Sequence, residues 1–79
     1  MEEYMEEFVR LKNELFDLTT EKHKNENLED IIIFKFKVNG EISEEDQKKL
    51  KELYERNAEI FDKSKKIRER ILELQSSME

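Results

Sequence analysis

Few side chains in this sequence are of the types that carry out catalysis or bind metals. There is one histidine, His23, and no cysteine, and the four serines stand at positions 43, 64, 76 and 77, away from His23 in the sequence. A nucleophilic serine needs an adjacent base, and a zinc site needs several histidine or cysteine ligands. We therefore expect no catalytic, metal or cofactor site, and we expect His23 to be a solvated polar residue near a helix end.

Charge is abundant and unevenly spread. Asp, Glu, Lys and Arg make up 46% of the chain, and the net charge is −6. Residues 1–30 contain ten acidic and four basic side chains, whereas residues 63–79 contain five basic and three acidic ones. The single glycine excludes a glycine-rich phosphate loop, and net negative charge disfavours binding to nucleic-acid phosphates. The composition favours a binding protein whose carboxylates meet a basic partner, rather than an enzyme.

The size of the chain also points to a partner. One domain over residues 1–79, without a disulfide, buries little surface and is expected to need another chain for stability. The longest apolar run, Ile31 to Phe34, is too short to span a membrane, and the acidic N-terminal sequence is unlike a signal peptide. We expect a cytoplasmic protein with no membrane partner.

The first element is predicted to be a helix over residues 2–22. Apolar side chains recur there in alternating steps of four and three, at Tyr4, Phe8, Leu11, Leu15 and Leu18. The pattern is then lost, and the polar stretch Asn25-Glu26-Asn27 indicates a connection over residues 23–30.

Residues 31–38 are predicted to form a strand, because β-branched and aromatic residues dominate them. One face of that strand would be wholly apolar and comprise Ile32, Phe34, Phe36 and Val38. Asn39-Gly40 offers a tight turn within residues 39–42. A lone strand leaves both edges unpaired, so we expect it to pair with the same strand of a second copy across a two-fold axis. The alternative is a monomer in which the strand caps a helical hairpin, with a two-residue return after Gly40.

The last element is predicted to be one continuous helix over residues 44–76, with Ser43 as its N-cap. No glycine or proline follows Gly40. A heptad seam of the coiled-coil type runs through Leu50, Leu53, Asn57, Ile60, Ser64, Ile67, Ile71 and Leu74. Acid-before-base pairs four residues apart, such as Glu52–Arg56, support the continuity of this helix.

Together these elements predict a mostly α fold with one β-strand, in the order helix–strand–long helix. The strand would be paired across a homodimer two-fold, and the helices would pack as a coiled-coil-like bundle. The predicted dimer core comprises Ile32, Phe34, Phe36, Val38, Leu50, Leu53, Ile60, Ile67, Ile71 and Leu74. The expected function is that of a small acidic protein-binding module, an adaptor, inhibitor or antitoxin-like protein, that acts as a helical homodimer on an unidentified protein partner.

An alternative function comes from a resemblance. The stretch Phe34 to Val38, followed by a helix and then the basic stretch Asp62 to Ile71, resembles the ribbon-helix-helix repressors. The resemblance implies a DNA-binding regulator in which two paired strands enter the major groove and the start of a second helix holds a phosphate. The implied nucleic-acid contacts are Lys35, Lys37, Lys63, Ser64, Lys65 and Lys66. That family has a turn between its helices, whereas residues 57–62 contain no helix breaker, so the sequence favours the protein-binding interpretation.

Overall fold

The computed structural model describes residues 2–78, and over that range the chain is a hairpin of two long helices. Helix α1 spans Glu2–Asn39, and helix α2 spans Glu44–Met78. The helices pack antiparallel, since Glu7 contacts Arg70 while Asn25 contacts Asn57. The hairpin measures 57 × 16 × 14 Å, so it is about as long as one straight helix of 38 residues at ~1.5 Å per residue.

The predicted helix–strand–helix order is wrong, because the described part of the chain contains no strand. Residues 23–30, predicted as a connection, and residues 31–38, predicted as a strand, both belong to α1. A helix satisfies its backbone amides internally, four residues back, so this segment needs no second strand beside it. Strand pairing across a two-fold, and the alternative of a strand capping the hairpin, are therefore both excluded for residues 31–38.

The packing seam of α1 continues through the region where the apolar pattern is lost. Its alternating steps pass from Leu18 through Lys22, Asn25 and Glu29 to Ile32. Asn25 and Ile32 are buried, and Glu29 is half-buried. The helical spacing of the seam therefore continues through residues 22–29, although the side chains at these positions are polar rather than apolar.

Helix α2 is uninterrupted, in agreement with the continuous helix predicted over residues 44–76. The hydroxyl Oγ of Ser43 accepts a hydrogen bond from the backbone amide of Asp46 at 3.1 Å, which is the geometry of an N-cap. Residues 57–62 lie inside this helix. The turn that ribbon-helix-helix proteins have between their helices is therefore not present in this region.

Residues 40–43 connect the two helices. The amide of Gly40 donates to the carbonyl of Phe36 at 2.7 Å, and Gly40 has φ = 76°. A glycine with positive φ just past a helix is a common C-terminal cap. Asn39-Gly40 therefore ends α1 and does not turn a pair of strands.

The core of the hairpin is a single stripe between the helices. Its buried apolar side chains are Leu11, Ile32, Leu53, Ile60, Ile71 and Leu74. Phe8, Leu15 and Ile67 pack against the cluster of Leu11, Ile71 and Leu74, and Leu50 is half-buried. Of the residues predicted to share one strand face, Phe34, Phe36 and Val38 lie at the surface of the hairpin, 66%, 44% and 65% exposed. A helix turns about 100° per residue, so Phe34 and Val38 lie on one side of α1 and Phe36 on the opposite side.

Candidate protein-binding surface

A polar layer crosses the middle of the core. The side-chain amide of Asn25 donates to Oδ1 of Asn57 at 3.0 Å, and the amide of Asn57 donates to Oε1 of Glu29 at 3.0 Å. Burial, together with the negative charges of Glu26 and Asp30, raises the pKa of Glu29. A hydrogen-bonded layer of this kind selects one register between two helices, because any shift leaves its members without partners.

One side of the hairpin, which we call the charged side, is closed by ion pairs between the helices. Arg70 forms two hydrogen bonds with Glu7, from Nε at 2.8 Å and from Nη2 at 3.1 Å. Arg56 pairs in the same way with Glu21, with Nη2 at 2.8 Å from Oε1. These hydrogen bonds lower the pKa of both glutamates. Two-pronged arginine–carboxylate contacts are directional, so they hold the helices in the same register as the polar layer.

Arg56 illustrates a difference from the sequence pattern. The spacing predicts a pair with Glu52 on the same helix, whereas the guanidinium contacts Glu21 across the hairpin and Glu59 at 3.0 Å. Further along the charged side, Glu14 and Asp17 of α1 and Lys63 and Lys66 of α2 line an open groove. Charges of opposite sign therefore face each other along much of this side.

The other side of the hairpin exposes large apolar side chains, and we call it the apolar face. Its members are Met5, Val9, Phe16 and Ile33 of α1 and Tyr54, Phe61 and Leu72 of α2. Each stands one residue after a seam position of its helix, for example Phe16 after Leu15 and Phe61 after Ile60. In an antiparallel helix pair, the positions that follow the seam on both helices lie on the same side.

A small cavity lies between the two helices on the side of the apolar face. Thr19 and His23 of α1 line it together with Phe61 and Arg68 of α2. Phe16 is 71% exposed, and Phe61 and Leu72 are each 62% exposed. Aromatic rings on this side are therefore available to another molecule, whereas the charged side is occupied by ion pairs.

A second exposed apolar group lies near the connection. It consists of Ile31, Phe34 and Val38, which are 53%, 66% and 65% exposed. Their spacing of three and four residues places them on one side of α1, two positions beyond the seam and directed away from α2. We call this group the loop-end patch. It is separate from the apolar face.

The residues implied by the DNA-binding alternative do not form one site. Lys35 and Lys37 lie in the last turns of α1, close to the connection, whereas residues 63–66 lie inside α2. Ser64 is 6% exposed and packs between the helices. Its amide lies within a helix, so no helix N-terminus is present there to hold a phosphate.

His23 lies in the middle of α1, not near a helix end as the sequence suggested. Its Nδ1 is 3.7 Å from Oε2 of Glu26, and its side chain is 69% exposed. Over the described range, no three His, Cys, Asp or Glu side chains group in a way that could hold a metal ion.

The sequence alone did not identify the polar layer or the apolar face. The heptad spacing places Asn57 at a seam position of α2. Its partners Asn25 and Glu29 lie in the part of α1 where the apolar pattern is lost. The signal for the apolar face is the adjacent apolar pair, seen at Ile60-Phe61 and Ile71-Leu72, since the second member must lie beside the seam.

Comparison with known proteins identifies no relative. No protein-family model matches the chain, and neither a curated protein nor a solved structure matches it. Neither helix, within the residues that the structure describes, is long and apolar enough to cross a membrane. The function must therefore be inferred from the surfaces of the hairpin.

Proposed function

We propose that this chain is a small protein-binding module, of the adaptor or inhibitor kind, that acts as a helical homodimer. The observation that carries the proposal is the exposure of Phe16 and Phe61. Each follows a seam position of its helix, so the two rings lie on the same side of the hairpin. Soluble monomers seldom leave apolar side chains grouped on one side. A hairpin of two helices also has only one core stripe, so packing against further helices adds the burial that a chain of this size lacks.

The acidic first half of the chain supports binding to a different protein. An open groove on α1 is lined by three carboxylates and one guanidinium beside apolar side chains: Glu6, Glu14, Asp17, Arg10, Asn13, Met5 and Val9. A groove with carboxylates at its rim is complementary to a basic helix or loop. Met5 and Val9 belong to the apolar face, so a second copy covers that edge of the groove. Glu6, Asn13 and Asp17 lie further around α1 and stay exposed, so one dimer presents two such acidic surfaces.

Two measurements test this function. Sedimentation equilibrium of the full chain should give a mass approaching twice 9.7 kDa as the concentration rises. A photo-crosslinking amino acid at Asn13, in cells that produce the protein, should yield a product heavier than the dimer, and the same group at the exposed Gln47 should not. The heavier product should disappear when Glu6 and Asp17 are both replaced by lysine. Products no heavier than the dimer from both positions would contradict the binding of a different protein through this groove.

A further inference from the structure

We infer that the apolar face is covered by a second copy of this chain whose loop end lies over the open end of the first, so that two hairpins form an antiparallel four-helix bundle. The loop end is the end that carries residues 40–43, and the open end is the opposite one. The inference rests on the proposed homodimer. It adds the surface that forms the dimer and the orientation of the two copies.

The charges within the apolar face are divided between its two halves. Lys12 of α1 and Lys65 and Arg68 of α2 lie in the open half, at positions that follow the same spacing as Phe16 and Phe61. The loop half carries three acidic and two basic side chains at these positions, Glu26, Asp30 and Lys37 of α1 and Glu44 and Lys51 of α2, whereas all the charges of the open half are basic. A face with this division of charge is complementary to itself only when the two ends are exchanged.

A two-fold axis can relate two copies of this face in two ways. If the axis runs along the hairpin, open end lies on open end, and Lys12, Lys65 and Arg68 of both copies gather in one patch. Like charges brought together at an interface oppose association. If the axis runs across the hairpin, α1 packs on α1 of the other copy in the opposite direction, and α2 packs on α2. The division of charge therefore selects the second arrangement.

Two pairs of α1 residues match in this arrangement. The midpoint of Glu2–Asn39 lies between residues 20 and 21, so side chains at similar distances before and after it face each other. Lys12 of one copy then faces Asp30 of the other, and Val9 faces Ile33. These two pairs match in charge and in polarity, whereas the same rule places Phe16 opposite Glu26.

The residues of α2 match as well. Phe61 is the central residue of Glu44–Met78, so the Phe61 rings of the two copies meet at the axis. Aromatic pairs and central, well-packed anchors contribute strongly to protein interfaces. Arg68 faces Tyr54 of the other copy, where a guanidinium over an aromatic ring is favourable. Each helix thus contributes one aromatic or apolar pair and one compatible charge, and Leu72 lies opposite Lys51.

The surface is tested by comparing Phe61→Glu with Phe34→Glu in sedimentation equilibrium. Phe34 is a matched control, because it is 66% exposed, against 62% for Phe61, but belongs to the loop-end patch. We expect Phe61→Glu to raise the dimer dissociation constant by about 30-fold or more, as the loss of a central anchor does. Phe34→Glu should change it by less than about 2-fold. A dimer that Phe34→Glu dissociates and Phe61→Glu does not would overturn the assigned surface and leave the homodimer standing. A wild-type chain that stays monomeric at every concentration would overturn both.

The orientation is tested by disulfide cross-linking, which is clean because the chain has no cysteine of its own. A mixture of Val9→Cys and Ile33→Cys chains should oxidise to a cross-linked dimer, and Val9→Cys alone should not. Two copies of residue 9 would lie roughly 34 Å apart along the bundle at ~1.5 Å per residue, far beyond the reach of a disulfide. Cross-linking of Val9→Cys with Leu72→Cys instead would show open end on open end and overturn the inference. These substitutions are mild, so cross-linking decides the matter even if Phe61→Glu unfolds the chain.

Discussion

Replacement of Asn57 by alanine is expected to destabilise the hairpin by about 2 kcal/mol. The change removes two hydrogen bonds between the helices, one from Asn25 and one to Glu29, each 3.0 Å long. Asn25 is only 7% exposed, so water cannot readily replace its lost partner. A buried polar group left without a partner costs ~1–3 kcal/mol, and the better helix propensity of alanine offsets roughly 0.5 kcal/mol of this.

Asn13→Ala is the matched control for this measurement. Asn13 is exposed on α1, so the same substitution changes helix propensity there without removing a buried partner. Urea unfolding of both variants, followed by circular dichroism at one protein concentration, gives the two free energies of unfolding. We expect Asn13→Ala to be neutral or slightly stabilising. Equal unfolding midpoints for the two variants would refute the role assigned to the polar layer.

Three further predictions concern the core, the connection and the pH dependence. Ile60→Ala should cost ~2–5 kcal/mol in urea unfolding, because Ile60 is 1% exposed, whereas Val38→Ala, at 65% exposure, should change the free energy by less than about 0.5 kcal/mol. Gly40→Ala should lower the melting temperature, with a cost of ~1 kcal/mol, since φ is 76° although open space surrounds the new methyl group; Gly40→Asn should cost less. The raised pKa of Glu29 means that its ionised form opposes folding, so Glu29→Gln should raise the melting temperature at pH 7 and lose that advantage as the pH falls through this pKa. The wild type should also lose the contributions of Glu7 and Glu21, whose pKa values are lowered, below roughly pH 4.3, so melting curves between pH 7 and 3 test both signs.

The seam of α2 could be predicted from the sequence because its apolar positions are dense. Six of the eight seam residues from Leu50 to Leu74 are apolar, and Asn57 and Ser64 interrupt them only singly. Ser43 predicts the start of α2 because a serine hydroxyl can accept a hydrogen bond from a free amide of the first turn. The structure contains this bond, from the amide of Asp46. In α2 the capping residue, the apolar spacing and the packing all favour the same helix. A segment is predictable from sequence when these features agree.

The second half of α1 could not be predicted, because local residue preference and packing against α2 favour different structures there. Residues 31–38 have the β-branched and aromatic composition of a strand, and local preference alone favours extended backbone. The helix prevails because it keeps Ile32 on the seam and lets Asn25 and Glu29 both bond to Asn57. The partner of Asn25 is 32 residues away in sequence. The sequence of the segment alone therefore does not indicate this contact.

The apolar face and the loop-end patch could not be predicted from the sequence either, for a different reason. Exposed residues carry no pattern that says which of them another molecule covers, and Phe16, Phe34 and Phe61 are alike in composition and exposure. Their difference lies in which side of an antiparallel pair they occupy, and that side is defined only after Glu7 is found beside Arg70. Recognition of the apolar face therefore depended on the fold.

The proposed dimer would stabilise the helical conformation of residues 31–38. Within one hairpin, Ile32 is the buried apolar side chain of residues 31–38, so a single copy stabilises this part of α1 weakly. In the proposed antiparallel bundle, Val9 of the second copy would pack on Ile33, the residue after Ile32. It would add an apolar contact within the segment whose composition is typical of a strand. Binding that occurs only to the folded form stabilises that form. The second copy therefore supplies, at the loop end of the first, the burial that favours helix over strand, and each copy does this for the other.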